Sequence, residues 1–159
     1  MDDEQRFAPL TALDRRILQA LQQDGRLSNR ALAERVGLSA SACWKHTQRL
    51  FEDKVITSVQ ARIDPRAVDR QTMVMVGVVL DRSSQQSFEQ FASAARALPQ
   101  VLECYLVAGD MDYFLKVRVR DLPAFNRFHS ERILALPHVL QVRTFFVLDE
   151  IKADGTLSF

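Results

Sequence analysis

A chain of 159 residues with 47% hydrophobic and 26% charged side chains has the composition of a soluble globular protein, which excludes disordered, collagen-like and membrane-spanning classes. Five glycines without a GxGxxG or GxxxxGK[ST] run, and cysteines and histidines without metal-ligand spacing, leave nucleotide-dependent and zinc chemistry unsupported. The net charge of +1 hides an asymmetry: residues 11–63 carry nine Lys/Arg against five Asp/Glu, whereas residues 64–159 carry eleven against twelve. The first ten residues form an acidic tail, and MDDEQRF has no apolar core, so a secretory signal is not expected and the cytoplasm is the default location. The longest apolar run, residues 73–80, is too short to span a bilayer.

Thr11-Ala12-Leu13-Asp14 is a T-x-x-D capping box, and Leu13, Ile17, Leu18 and Leu21 recur at helical spacing behind it, predicting a helix over residues 12–23. Asp24-Gly25-Arg26 breaks it. Ser28 caps a second, short helix over 29–36 that carries Leu32 and Val36, and Gly37 stands where a left-handed C-terminal residue is wanted. Ser39 caps a third, over residues 40–53. Helices joined by Gly37-Leu38-Ser39 match the helix-turn-helix used for major-groove binding, so residues 11–56 are assigned to a DNA-binding domain of the winged type.

On a helical wheel Cys43, Thr47 and Leu50 share the inward face of the third helix. The outer arc holds Ser41, Trp44, Lys45, Gln48, Arg49 and Glu52. Lys and Arg suit phosphates or guanine, Gln suits base edges, and serine near a helix start suits the DNA backbone. The DNA-facing set is therefore Ser28, Ser39, Ser41, Trp44, Lys45, His46, Gln48 and Arg49. Such an arc is as often a solvated face; the exposed aromatic Trp44 tips the balance, although it would also serve to cover the hinge that follows.

Val55–Val59 and Ala61–Pro65 read as a strand-like connection, and residues 57–70 as a linker. Beyond it, residues 73–80 are apolar and β-branched, 86–98 helical, 101–108 and 113–120 a hairpin through Gly109-Asp110-Met111-Asp112, 122–135 helical, and 139–148 a last strand. The order β-α-β-β-α-β defines a ferredoxin-like domain over residues 71–159, so the fold class is α+β. Met73, Met75 and Val79 make the first strand apolar on both faces, which predicts a second sheet covering it and hence a homodimer. Cys43 and Cys104 fall on packed faces and read as small hydrophobes.

Leu13-Asp14-Arg15-Arg16-Ile17-Leu18, Leu21–Arg26, Val36-Gly37-Leu38-Ser39, the Cys43–Leu50 helix running into Lys54-Val55-Ile56, and Val107–Tyr113 together resemble the Lrp/AsnC family of transcription regulators over residues 11–152. That resemblance implies a dimer that often assembles to an octamer, binding to double-stranded DNA, and a small effector, usually an amino acid, held by the C-terminal domain with no further cofactor. It places Gly109, Asp110, Asp112 and Tyr113 in the effector loop and Thr144 on the same pocket. A zwitterion needs backbone N–H groups for its carboxylate, which a Gly-containing turn exposes, and a carboxylate such as Asp112 for its ammonium. An ordinary hairpin turn is the plainer account of Gly109-Asp110 taken alone. The chain departs from the family pattern at His46, where Arg is usual, at Thr47, where Val or Ile is usual, and at Ala40 and Ala42, where Pro is common. The resemblance implies a cytoplasmic, nucleoid-associated bacterial protein.

Two alternatives compete with an effector-responsive regulator. One is a nucleoid-type architectural DNA-binding protein without an effector. The other is a haem-pathway decarboxylase of similar fold, for which His46, His129 and His138 are the candidates; His129-Ser130-Glu131 lacks the downstream PCxxC of a zinc deaminase. No catalytic residue is assigned, and an enzyme is not expected.

Overall fold

The computed structural model describes residues 8–81, 86–153 and 155–159. These form two compact units, one reaching Arg62 and taking in Lys152–Phe159, the other running from Ile63 to Ile151. The last eight residues, counted with the C-terminal domain on sequence grounds, thus group with the N-terminal unit. Gln22 explains part of this: its side chain accepts the Leu157 N–H at 2.8 Å and donates to the Leu157 carbonyl at 3.1 Å, while Gln19 donates to the Phe159 carbonyl.

The N-terminal unit contains α1 (Ala12–Gln23), α2 (Asn29–Val36) and α3 (Ala40–Glu52). Each starts where a side-chain oxygen can accept an otherwise orphaned amide: Thr11 from Asp14, Ser28 from Ala31 and Ser39 from Ala42. Gly37 ends α2 at φ +71°, in the left-handed region that costs glycine least. Ile17, Leu32, Val36, Cys43 and Leu50 are buried together between the helices. The predicted strand-like linker is corrected: residues 57–64 pair with no strand among the described residues, and Pro65–Val68 forms a 3-10 turn capped by Asp64.

In the second unit β1 (Thr72–Leu80), α4 (Ser87–Arg96), β2 (Val101–Leu106), β3 (Tyr113–Val119), α5 (Leu122–Phe128) and β4 (Val139–Phe146) follow in the βαββαβ order. The antiparallel sheet has strand order β2-β3-β1-β4. Val74, Val76, Val78 and Leu80 of β1 and Tyr113, Leu115, Val117 and Val119 of β3 pack with Phe91 of α4 and Phe125 and Phe128 of α5. The helix expected over 122–135 is shorter. After Phe128 the chain widens into a π turn over His129–Ile133, in which the Leu134 N–H reaches the His129 carbonyl at 3.0 Å.

The sheet's other face carries Met73, Met75, Gly77 and Val79. The chain itself covers part of it: a Cβ on Gly77 would lie 3.1 Å from the Met111 sulfur and 3.3 Å from the Phe114 ring. Burial of β1 on both faces therefore does not by itself require a second sheet, because Met111 of the hairpin folds over its middle. Tyr105 and Phe145, on the same face by register, remain about half exposed.

Candidate nucleic-acid interface and effector hairpin

The outer arc of α3 expected from the wheel is exposed except at Gln48. Ser41, Trp44, Lys45 and Arg49 are exposed, Trp44 to 58%, while His46, Thr47 and Gln48 are half-buried. Ser28 and Ser39 are exposed, but their hydroxyl oxygens already accept helix amides, so only their hydroxyl protons are available to a phosphate. Ser39 and Ser41 also share a hydrogen bond at 3.3 Å. Asn29 donates to the Ala40 carbonyl at 2.7 Å and ties the start of α3 to α2. Thr47 turns its hydroxyl to the Cys43 carbonyl at 2.9 Å.

The residue that sequence reasoning left as a cap alone is Asp14. Its side chain is fully buried on α1, and its carboxylate accepts from the Thr11 N–H at 3.0 Å, the Thr11 hydroxyl at 2.8 Å and Arg49 Nη2 at 2.6 Å, with His46 Nδ1 at 3.3 Å. Burial alone would push this carboxyl up, but the hydrogen bonds from Thr11, Arg49 and His46 outweigh it and hold it at about 2. Asp14 thus pins the recognition helix to α1 through the two basic residues that look from sequence like DNA contacts. The guanidinium of Arg49 is still 45% exposed, so it reaches solvent from an anchored position; His46 is committed further inward. The signal in the sequence was an acid on the apolar stripe, three residues before Ile17.

In the second unit the Val107 N–H donates to the Asp112 carbonyl at 2.9 Å and closes a hairpin loop in which Ala108, Gly109 and Asp110 are exposed. Gly109 lies at φ +145°, where side chains other than hydrogen are strained, and no heavy atom stands within 4 Å of a Cβ built there. Asp112, expected from sequence to be the ammonium partner, is buried. It is 4% exposed, its N–H donates to the Val78 carbonyl at 2.9 Å, and its carboxylate accepts the Leu80 N–H at 2.8 Å. Tyr113 likewise turns inward: its ring lies 4.6 Å from that of Phe91, and its hydroxyl donates to the Phe88 carbonyl at 3.1 Å. Burial pushes the Tyr113 phenol up. Thr144, half-buried, pairs with Val76 while Tyr113 pairs with Val78, so both sit on the helix-facing side, offset along β1. Of the five effector candidates, the structure leaves Gly109 and Asp110 at the surface, ties Asp112 to β1 and packs Tyr113 against α4.

Asp112→Ala should therefore lower stability by about 1–3 kcal/mol, the cost of stranding the buried Leu80 N–H. Urea unfolding of the two proteins checks this, and an unchanged midpoint would contradict it.

Both cysteines are free, and burial pushes the Cys43 and Cys104 thiols up, away from reactive thiolate. No group of three His, Cys, Asp or Glu side chains suited to a metal occurs among the described residues, and none of their helices is long and apolar enough to cross a membrane.

A helix-turn-helix followed by a βαββαβ domain is the architecture of a two-domain DNA-binding regulator, and both halves match such proteins. Residues 10–57 match the winged helix-turn-helix DNA-binding model and residues 73–157 the Lrp/AsnC ligand binding domain. The chain belongs to the Lrp/AsnC family of transcriptional regulators. It is 41% identical over 148 residues to the leucine-responsive regulatory protein of Klebsiella pneumoniae, covering 93% of this chain and 90% of the relative, and 40% identical to that of Escherichia coli K12 over the same span. Its fold matches the crystal structure of a transcriptional regulator from Neisseria meningitidis in complex with L-Met, with TM-score 0.89, 33% identity, and coverage of 94% and 97% of the two chains. An AsnC family transcriptional regulator from Agrobacterium tumefaciens gives TM-score 0.88 at 34% identity over 94% and 97%. Family membership makes the protein a DNA-binding regulator and not an enzyme.

Proposed function

We propose that this regulator reads a preferred duplex sequence through α3 and that an amino acid bound beside the 107–112 hairpin alters that binding. The observation that carries the first half is the exposed arc of α3, where Ser41, Trp44, Lys45 and Arg49 stand outward and Gln48 stands half-exposed among them. Cations supply phosphate contacts; Gln48 is the base-reading group, because its amide can pair with adenine at two atoms. For the effector, the exposed backbone at Gly109 suits a carboxylate, and Asp110, not the buried Asp112, is the ammonium partner. An aliphatic amino acid is the class favoured, since the relatives include leucine-responsive proteins and a regulator in complex with L-Met. The half-exposed Tyr105 and Phe145 on the open sheet face support a homodimer through that face, and octamers assembled from it. A cytoplasmic site of action beside the nucleoid follows from this role.

Calorimetric titration of the full chain with L-leucine and L-methionine tests the effector assignment. Saturable binding that Asp110→Asn weakens at least tenfold, with an unaltered melting temperature, is expected. Binding of neither amino acid, or equal binding by the variant, would overturn it.

A further inference from the structure

At the end of the sheet away from the hairpin lies a cavity of about 410 Å³ that the DNA-reading and amino-acid assignments do not use. Its floor is apolar, made by Val119, Ala124 and Phe128, and its rim carries Arg70, Arg120, Arg127 and Arg132 with Glu131 and Gln100. The fold brings these together from four places. Arg70 precedes β1, and its carbonyl accepts from Arg118; Gln100 precedes β2, and its carbonyl accepts the Arg118 N–H at 3.0 Å. Arg120 follows β3. Arg127 lies on α5, and five residues on, in a regular helix, Arg132 would point about 140° away from it. The π turn over His129–Ile133 widens the helix there and returns Arg132 to the same cavity, and such turns recur at functional sites.

The charges do not cancel locally. Arg120 Nε pairs with Asp121 at 2.8 Å, and the other oxygen of Asp121 accepts the Ala124 N–H that starts α5. Among the described residues no carboxylate stands within ion-pair distance of Arg70, Arg127 or Arg132. Four guanidiniums face Glu131 and the neighbouring Asp121, leaving an excess of two positive charges over an apolar floor. Guanidiniums grip phosphate and carboxylate oxygens in pairs, and a concave cavity of this volume fits a small molecule better than a duplex.

We propose that this cavity is a second ligand site, for a small organic dianion with an apolar portion: a phosphate monoester or a dicarboxylate. It is separate from the hairpin. Along β1 the pairing runs from Thr72 with Val119 at the cavity end to Val78 with Tyr113 at the hairpin end, about 20 Å.

Calorimetric titration of the full chain with phenyl phosphate, phthalate and inorganic phosphate at low salt tests this. One phenyl phosphate or phthalate per chain is expected to bind, the tighter of the two showing whether the natural ligand is a phosphate ester or a dicarboxylate, and inorganic phosphate at least tenfold more weakly. The double substitution Arg127→Ala and Arg132→Ala should weaken the organic anions at least tenfold, and Arg30→Ala, in the other unit, should not. All three side chains are exposed, so unfolding midpoints should match wild type; Arg127→Gln with Arg132→Gln gives the same answer if the alanines perturb folding. Wild type that binds none of the probes, or equal binding by the substituted proteins, overturns the proposal. So does inorganic phosphate binding as tightly as phenyl phosphate. A loss of duplex affinity in the double variant with small-anion binding intact would make the cluster a DNA contact and also overturn it. None of these outcomes depends on whether L-leucine or L-methionine binds at the hairpin.

Discussion

Replacing Asp14 by Asn should lower the stability of the N-terminal unit by about 2–3 kcal/mol at neutral pH, since the folded state holds this carboxyl at about 2 against an unfolded value near 4, and each tenfold change in its acidity constant is worth about 1.4 kcal/mol. The pH dependence is distinctive. A carboxyl whose folded pKa is depressed stabilises fully above its unfolded value, and that contribution is lost as pH falls through about 4 toward 2. Urea unfolding of wild type and Asp14→Asn should therefore differ most above pH 5 and converge near pH 2. Asp14→Ala should cost more, because it also removes the side-chain oxygen that accepts the Thr11 N–H, the reciprocal half of the capping box on α1. A difference between wild type and Asp14→Asn that did not change with pH would show that the charge contributes nothing.

The second large effect is on DNA. Each phosphate contact steepens the dependence of log affinity on log salt by about 0.9, so losing one at 0.1 M salt weakens binding roughly eightfold. Lys45→Ala and Arg49→Ala together should weaken binding by roughly 60-fold and flatten the salt slope by about 1.8. The two separate on stability. Lys45→Ala should leave the melting temperature alone, whereas Arg49→Ala should also cost about 2 kcal/mol by removing a charged hydrogen bond from buried Asp14. An unchanged slope in the double variant would remove both residues from the interface.

These predictions separate what local sequence encodes from what only tertiary contact creates. The helix starts were legible because Thr11, Ser28 and Ser39 cap through their own side chains within three residues, and Gly37 ends α2 through its own backbone. The alternation in β3, with Tyr113, Leu115, Val117 and Val119 inward, was legible for the same reason: a strand's faces follow from its period. Contacts across 32 and 35 residues, from Asp14 to His46 and Arg49, leave no such mark. The same limit explains the hairpin. Its chemistry named Asp112 as an ammonium partner, but only the pairing of β1 with β3 brings the Leu80 N–H to that carboxylate, and so turns it inward. The arginine cavity went unread because its members are spread from Arg70 to Arg132 and converge through a π turn, which propensity does not foretell.

Fluorescence anisotropy with the protein's own upstream duplex and a scrambled duplex of equal length, with and without L-leucine and L-methionine, tests the central claim most directly. A preference for the upstream duplex that either amino acid alters is the predicted result. Equal affinity for both duplexes, unmoved by either amino acid, would contradict it and leave an architectural DNA-binding protein in its place.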